Sequence, residues 1–323
     1  MRALITGGAG FVGQWLARAL LARGDDVHIA SLHASSVHQP GQPEVLSAAE
    51  RSAIHWTPTD FRNAAEVDAA VEASRPDAVF HLAGVSFPPD ASREPDLAFD
   101  INTLGVVRLL GAIRLRRRAG AIDPAIIVAG SAVQYGRHDE SEMPLDESAE
   151  TRPSSAYAAS KQAQEVAALA AFREDGTRTI CVRAFNHSGV GHAGHYLIPA
   201  LVARALRLRA GEESALALGN DVVRDYVHVD DVVTAYLSLA DRGRAGEIYN
   251  VASGVGVRAS QLARDVLQRV GVTAEITSEP TLARSTDIPI LVGSFARLAR
   301  ETGWRPAKTY ADIIDDLLNA QAD

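Results

Sequence analysis

A tyrosine and a lysine stand one helical turn apart in the stretch SSAYAASKQAQE, as Tyr157 and Lys161. Residues four apart on a helix share a face, so a phenol and an ammonium would lie side by side. A phenol titrates near ~10 and is a poor acid or base at neutral pH, but a nearby ammonium stabilises the phenolate and lowers its pKa. Such a pair can exchange a proton with a hydroxyl or a ketone while a redox cofactor exchanges a hydride. Tyr/Lys pairs are also common on solvated helix faces, so the interpretation needs further residues.

A third donor precedes this pair in the run AGSAVQYG, where Ser131 follows a predicted strand. Its hydroxyl is expected to hold the reacting oxygen beside the phenol. Ala132 and Val133 come next, and neither side chain can exchange a proton.

A glycine-rich turn opens the chain, in TGGAGFVG between a predicted strand and a predicted helix. The spacing is GxxGxxG, which differs from the GxGxxG dinucleotide fingerprint, but the glycines have the same physical role in both. Glycines let the backbone turn tightly and approach a pyrophosphate, which binds the free N–H groups of the helix N-terminus. The residues predicted to bind a dinucleotide here are Gly7, Gly10, Phe11, Val12 and Gly13.

The end of the second strand bears on the choice between NAD and NADP. A carboxylate there binds the adenosine 2′-hydroxyl and favours NAD, but HIASLHASS contains none. Ser31, His33, Ser35 and Ser36 could accommodate a 2′-phosphate, although no arginine is present to clamp it. NADP(H) is therefore favoured and NAD(H) remains open. Asp60, in PTDFRN, either accepts a hydrogen bond from the adenine amino group or caps the helix that follows.

Short apolar runs alternate with helical patterns as far as Asn186, which predicts βαβ units and an α/β fold with a doubly wound parallel sheet of Rossmann type. One helix is expected over 98–118. Beyond Asn186 the pattern becomes irregular, as in a smaller cap over the C-terminal strand ends, where open sheets bind ligands. We predict a dinucleotide-binding domain over 1–186, to which 219–250 returns, and a smaller substrate-binding domain over 187–218 and 251–323. An acidic pair, Asp230 and Asp231, is expected to cap a helix.

The charge of −8 disfavours non-specific binding to nucleic acid or to an anionic membrane. The basic run of residues 114–118 is interpreted as a solvated helix end. No apolar run approaches the ~20 residues of a membrane span, and because a strand pattern starts at residue 2 we expect no signal peptide. The single cysteine, Cys181, lies in an apolar strand pattern and can form no internal disulfide, so a cytoplasmic protein is expected.

Three histidines, His187, His192 and His195, lie in a glycine-rich loop without regular ligand spacing. Hydride transfer to a carbonyl needs no metal. We expect them to structure the loop or contact substrate, and no metal site is predicted.

Taken together, TGGAGFVG, HLAG, SAVQYG, YAASK, RAFNHSGVG and RDYVHVDDVV resemble the extended short-chain dehydrogenase/reductases that act on nucleotide sugars. The resemblance spans residues 2 to about 315. RAFNHSGVGH is most similar to the group of GDP-mannose 4,6-dehydratases and GDP-4-keto-6-deoxymannose reductases.

The resemblance implies roles for individual residues. Tyr157 would be the acid/base, Lys161 its electrostatic partner and a ribose ligand, and Ser131 the hydroxyl that steadies the sugar oxygen. Further cofactor contacts implied are Phe61, Leu82, Ala83, Gly84 and Asn102. Substrate contacts implied are Ser86, Asn186, Arg224 and Arg284, the last three toward the nucleotide diphosphate or its ribose. Without the resemblance, Arg224 could equally form an ion pair with Asp225.

Dehydratases of this group carry an acid two residues after the catalytic hydroxyl, where this chain has Val133. The expected function is therefore NAD(P)H-dependent reduction of the 4-keto group of a GDP-4-keto-6-deoxyhexose. A 4-epimerase with tightly bound NAD is the alternative, followed by a dehydratase and by a non-catalytic dinucleotide sensor. Relatives pair across helices near 102–115 and 157–172, which implies a homodimer.

Overall fold

Strands and helices alternate along the chain, and seven of the strands form one parallel sheet. The computed structural model describes residues 1–32, 45–282 and 287–321. Numbered in chain order, the strands of this sheet are β1 (Arg2–Thr6), β2 (Asp26–Ser31), β3 (His55–Pro58), β4 (Ala78–His81), β5 (Ala125–Ala129), β6 (Thr179–Ala184) and β10 (Ile248–Val251). Their order across the sheet is β3-β2-β1-β4-β5-β6-β10, and all neighbours are parallel. The predicted doubly wound α/β fold is confirmed.

Helices cover both faces of the sheet, which explains why β4 and β6 are buried along their whole length. The helices are α1 (Phe11–Ala22), α2 (Ala48–Ser52), α3 (Ala64–Ser74), α4 (Pro88–Arg93), α5 (Pro95–Phe99), α6 (Gly105–Arg118), α7 (Ala156–Asp175), α8 (Leu197–Arg209), α9 (Val229–Arg242), α10 (Ala259–Val270), α11 (Ala296–Thr302) and α12 (Tyr310–Asn319). One core joins α1 and α9 to the sheet through side chains such as Leu16 and Tyr236. The core on the other face joins α3, α6 and α7, for example through Leu109 and Leu169.

The remaining strands form two smaller sheets, one of four strands and one of two. They are β7 (Asn186–Ser188), β8 (Ala215–Leu218), β9 (Val223–His228), β11 (Gly256–Arg258), β12 (Glu275–Ser278) and β13 (Ile290–Leu291). β9 pairs with β7, β11 and β13, while β8 pairs with β12. A third core lies between α8, α10 and α12. The domain division stays a prediction. Within its returning segment 219–250, α9 packs on the large sheet and β10 is its last strand, whereas β9 belongs to the four-stranded sheet.

The single helix expected over 98–118 is interrupted. α5 ends at Phe99, one π-helical turn spans Asp100–Leu104, and α6 begins at Gly105. The wider turn contains Asn102, which is fully buried. Such π-turns are frequent at functional sites, because the extra residue re-aims a side chain.

The start of α9 also differs from the expectation. His228, not the acidic pair, is the N-cap, and its Nδ1 accepts a hydrogen bond of 3.1 Å from the Asp230 amide. Asp231 is buried and accepts hydrogen bonds from the backbone of Ala307 and Lys308. Its carboxylate therefore ties the segment before α12 to α9.

The basic run at the end of α6 is less solvated than expected. Arg116 is buried and donates to Asp68 and Glu72 of α3, so it joins two helices. Arg117 binds Asp123. In the described ranges, no helix is long and apolar enough to cross a membrane.

Candidate active site

A cleft of about 910 Å³ lies at the C-terminal ends of the parallel strands. Its lining begins where strands end: Gly7 follows β1, Leu82 follows β4, Ser131 follows β5 and Asn186 follows β6. Tyr157 and its helix α7 close one side. This edge is where open α/β sheets bind ligands, as the sequence predicts.

The glycine turn is packed so closely that side chains are excluded from it. Gly7 has a φ of +68°, and a Cβ there would lie 2.7 Å from the backbone of Ala83. A Cβ on Gly13 would lie 2.5 Å from the Cα of Gly8. Gly10 is the N-cap of α1, and the first turn of α1 carries no acidic side chain. The free N–H groups therefore face a cradle that fits a dinucleotide pyrophosphate.

Gly13→Ala is expected to weaken dinucleotide binding about tenfold or more, because the added methyl must displace backbone rather than a flexible side chain. Fluorescence titration with NADPH measures the change. Gly194→Ala is the control, since no heavy atom lies within 4 Å of a Cβ at that exposed glycine. Equal affinities for both variants would contradict the proposed cradle.

Tyr157 lies buried in the cleft wall, at 8% exposure, in contact with a small apolar cluster that includes Ala91 and Ala98. Burial raises the pKa of Tyr157 to about 12, against a hydrogen bond with Ser131 that lowers it. The expected net lowering of this pKa by Lys161 is therefore wrong, since burial dominates. The phenol is protonated at neutral pH and suits a proton donor better than a base.

Lys161 lies one turn further along α7 and is also buried. Its ammonium donates to the Ala129 carbonyl at 2.9 Å and to Gln164 Oε1 at 3.1 Å. Burial lowers the pKa of Lys161 to about 8. The ammonium also lies near the strip after β4, which comprises residues 82–85. A Cβ on Gly84 in this strip would lie 3.3 Å from Nζ of Lys161.

Ser131 is positioned by a side chain that sequence reasoning missed. Ser131 caps a 3₁₀ turn (Ala132–Tyr135), and its amide donates to the Gln134 side chain at 2.8 Å. Gln134 in turn donates to Glu165 Oε2 at 3.1 Å. Glu165 accepts two hydrogen bonds from the Arg183 guanidinium, at 2.9 and 2.8 Å. Because Glu165 and Tyr157 share helix α7, this network links the backbone amide of Ser131 to the helix that carries the phenol.

Helical periodicity is the feature of the sequence that could have indicated part of this network. Gln164 and Glu165 stand seven and eight residues after Tyr157, on the same face of α7, and both are buried. Gln134 lies within the quoted SAVQYG, but nothing in that run shows that its side chain turns back to Ser131.

Asn102 reaches the site from the π-turn without lining the cleft. Its Oδ1 accepts from the Val85 amide at 2.8 Å, and its Nδ2 donates to Ser160 Oγ at 2.9 Å. It therefore joins the strip after β4 to α7. A Cβ on Gly84 would lie 2.6 Å from Asn102 Oδ1, so a side chain at position 84 would collide with Asn102.

His81 contacts the strip after β4 indirectly, through the hydroxyl of Thr6. Its Nδ1 lies 2.8 Å from Thr6 Oγ1, which accepts from the Ala83 amide. Burial, with a smaller contribution from Lys161, lowers the pKa of His81 to about 3, so the ring stays neutral.

The loop histidines form part of an aromatic wall across the cleft. His192 stacks between Phe11 and Tyr196, with ring centroids 4.5 and 4.0 Å away. His195 follows, 4.5 Å from Tyr196 and 4.4 Å from Phe87. Burial lowers the pKa of His192 well below its usual value.

The other predicted site residues divide into three sets. Those that line the cleft are Gly7, Gly10, Phe11, Val12, Gly13, Asp60, Phe61, Leu82, Ala83, Gly84, Ser86, Ser131, Tyr157, Lys161 and Asn186. Arg224 lies outside this lining on β9, where it donates to the Val223 carbonyl. His33 and Arg284, with Ser35 and Ser36, lie outside the described residues.

The structure gives partners to Asp60 and Asp225, whose roles the sequence left open. Asn63, not Asp60, is the N-cap of α3, and the Asp60 carboxylate receives a fork of hydrogen bonds from Arg62. The hydrogen bonds from Arg62 lower the pKa of Asp60. The carboxylate of Asp225 accepts hydrogen bonds from Ser253, Gly254 and Gly293, which tie two loops to β9.

The position that carries an acid in the dehydratases is apolar in the structure as well. Ala132 is buried and Val133 lines the cleft. Of the described residues, the carboxylates in the lining are Asp60, Asp90 and Glu94. They belong to the loop before α3 and to α4 and its end, and Asp90 is paired with Arg93. None is the direct neighbour of Ser131 that an elimination requires.

Comparison with known proteins agrees with this geometry. The profile of the family described as GDP-mannose 4,6 dehydratase matches residues 4–317. GDP-6-deoxy-D-mannose reductase of Pseudomonas aeruginosa is 34% identical over 246 residues, covering 76% of this chain and 80% of that protein. UDP-glucose 4-epimerase of Azospirillum brasilense is 31% identical, covering 97% and 89%. The structure of RMD from Pseudomonas aeruginosa complexed with NADPH has a TM-score of 0.82 at 30% identity and covers 99% of both chains. The chain belongs to the GDP-mannose 4,6-dehydratase family, within the extended short-chain dehydrogenase/reductases.

Proposed function

We propose that this chain is an NAD(P)H-dependent reductase of the 4-keto group of a GDP-4-keto-6-deoxyhexose, yielding a GDP-6-deoxyhexose. The observation that carries the proposal is the cleft itself, which brings Tyr157 and Ser131 together with a dinucleotide cradle. Burial raises the pKa of Tyr157 to about 12, so the phenol suits a proton donor at neutral pH. Reduction of a ketone needs one proton donor and one hydride donor. The similarity to a GDP-6-deoxy-D-mannose reductase supports the same substrate class.

In this reaction the side chains handle the oxygen of the sugar. A bound nicotinamide supplies the hydride that adds to the carbonyl carbon. Ser131 and Tyr157 hold the carbonyl oxygen, and Tyr157 gives it a proton as negative charge develops there. Lys161 stabilises the phenolate that remains until solvent returns a proton to it. Asn186 lines the cleft and would face the diphosphate. The resemblance implies Arg224 and Arg284 as further contacts, of which Arg224 lies on β9 outside the lining.

NADP(H) is the proposed cofactor, with NAD(H) as the alternative. Ser31 and Leu32, at the end of β2, line the cleft, and neither is a carboxylate that would repel a 2′-phosphate. The related RMD structure is a complex with NADPH, which supports the same choice. Paired titrations with NADPH and NADH decide between them.

A 4-epimerase is the second candidate, because the epimerase relative matches 97% of this chain. The deciding assay mixes purified protein, NADPH and a GDP-4-keto-6-deoxyhexose and follows absorbance at the NADPH band. A reductase consumes one NADPH for each ketone and does not act on GDP-mannose. Interconversion of two sugars without net cofactor turnover, with NAD⁺ retained through purification, would establish the epimerase instead.

The pH profile provides a separate prediction. Below about 8 Lys161 is an ammonium, and above it the charge is lost, whereas Tyr157 keeps its proton to about 12. We therefore expect kcat/KM for reduction to fall as pH rises through about 8, from loss of the charge that stabilises the phenolate. NADPH affinity measured at each pH separates this effect from cofactor release. A rate that stays constant to pH 10 would argue against the role of Lys161.

We also propose a homodimer formed by α6 and α7. Val107 and Leu115 on α6 and Val166 on α7 are large apolar side chains with 46%, 64% and 56% exposure. Two copies of this helix pair would bury them against each other. Sedimentation equilibrium would give twice the chain mass of 34.3 kDa, and a monomer at micromolar concentration would refute the proposal.

The proposed location is the cytoplasm. Cys181 is a free, buried thiol, and burial raises its pKa, so it is unreactive and forms no disulfide in the chain. Cell fractionation tests the location directly.

A further inference from the structure

Three metal-binding side chains meet at the end of the sheet opposite the cleft. Asp26 and His28 begin β2, and His55 begins β3. His28 and His55 are neighbours in the parallel register of these two strands. Asp26 precedes His28 by two residues and so points to the same face of the sheet. None of the three lines the cleft.

The donor atoms of the three residues lie close to one another. Asp26 Oδ2 lies 3.3 Å from His28 Nε2, and Asp26 Oδ1 lies 3.3 Å from His55 Nε2. The two imidazoles are stacked, with centroids 4.6 Å apart and planes 22° from parallel. One donor atom from each residue can be chosen so that all lie within 4.8 Å of one another. Among the described residues, this is the one group of three such side chains with that property.

The spacing suits metal coordination better than hydrogen bonding. Charge-assisted hydrogen bonds to a carboxylate are about 2.7–2.9 Å long, so contacts of 3.3 Å are poor ones. Zinc bonds of about 2.0–2.1 Å at tetrahedral angles place neighbouring donors roughly 3.3–3.4 Å apart. Each nitrogen-to-carboxylate distance is close to that edge, the one from His28 ending on Oδ2 and the one from His55 on Oδ1.

We propose that Asp26, His28 and His55 bind a divalent transition metal of the zinc type, with water completing the shell. Imidazole nitrogen favours zinc, copper or nickel over magnesium and calcium, which prefer oxygen. Water can reach the site, because 47% of the Asp26 side chain and 65% of the His55 side chain are exposed.

The consequence of occupancy is structural. β3 is the edge strand of the seven-stranded sheet, and in the described residues it pairs with β2 alone. A metal held by both strands would cross-link this edge, and edge strands are where sheets open and mispair. The metal site is independent of the proposed reaction, since it and the cleft lie at opposite ends of the strands.

Calorimetric titration of tag-free, chelator-treated protein with Zn²⁺ tests the proposal. One zinc should bind per chain, the melting temperature should rise with occupancy, and Mg²⁺ at the same concentration should do neither. His55→Ala and Asp26→Asn should each weaken zinc binding by about tenfold or more and remove the thermal shift. Glu142→Gln, which breaks a pair with His138 that lacks a third donor, is the matched control and should bind zinc like the parent.

Three results would overturn the site: no zinc binding up to millimolar concentration, unchanged affinity in His55→Ala and Asp26→Asn, or equal loss in Glu142→Gln. Because His55 and Asp26 are exposed at the N-terminal ends of β3 and β2, their variants are expected to fold. Circular dichroism without metal verifies this and separates a lost ligand from a lost fold.

Discussion

Tyr157→Phe should reduce turnover by about 10²–10⁴-fold, the usual contribution of a positioned proton donor, while NADPH affinity changes little. The substitution removes one oxygen and keeps the ring that packs against Ala91 and Ala98, so the wall of the cleft retains its shape. Ser131 would still hold the carbonyl oxygen, but no group beside it could protonate that oxygen. Steady-state kinetics with the 4-keto nucleotide sugar, together with a binding titration, measures both quantities.

Tyr310→Phe is the matched control for that experiment. Tyr310 is a half-buried tyrosine on α12 whose hydroxyl donates to Asp265, outside the cleft lining. Its variant should keep the activity of the parent. If the parent and both variants bind dinucleotide but turn over no sugar under any condition, the chain is a sensor and not an enzyme.

The sequence predicted the cleft well because its chemistry is local. The glycine turn and the Tyr157/Lys161 pair each lie within one strand–helix or helix segment, and parallel strands bring such segments to one edge. Motif resemblance then assigned roles that spacing alone could not. Fifteen of the predicted catalytic, cofactor and substrate residues, and Ser31 in addition, line one cleft, because parallel strands bring these segments to the same edge.

The missed features depend on contacts between distant segments. Nothing in the apolar stretch TICVRAF indicates that Arg183 pairs with Glu165, or that Gln134 joins them. The interpretation of residues 114–118 as a solvated helix end is wrong for Arg116 for a related reason. Its side chain faces α3 and not solvent, and the sequence does not show which helix lies beside it. The sequence predicts a lowered pKa for Tyr157 because it shows the neighbouring charge of Lys161. It does not show how deeply the phenol is buried, and burial raises this pKa.

The largest effect on stability is expected from Glu165→Leu. Both partners of this ion pair are almost fully buried, each with 5% of its side chain exposed. Burial opposes the charge of Arg183, yet hydrogen bonds from the guanidinium to Glu165 outweigh it and raise the pKa of Arg183. Removing the carboxylate leaves a buried cation, which costs about 3–5 kcal/mol of unfolding free energy. Urea unfolding at fixed protein concentration measures this loss.

A double variant separates the buried charge from mere loss of packing. Glu165→Leu combined with Arg183→Met leaves no uncompensated charge and should recover most of the stability. Glu174→Gln, which breaks an exposed pair with Arg114, should cost less than about 1 kcal/mol. The stabilised double variant should nevertheless stay slow in turnover with KM nearly unchanged, because Gln134 has lost the carboxylate that orients it toward Ser131. Full recovery of kcat would show that the network stabilises the fold without positioning the catalytic hydroxyl.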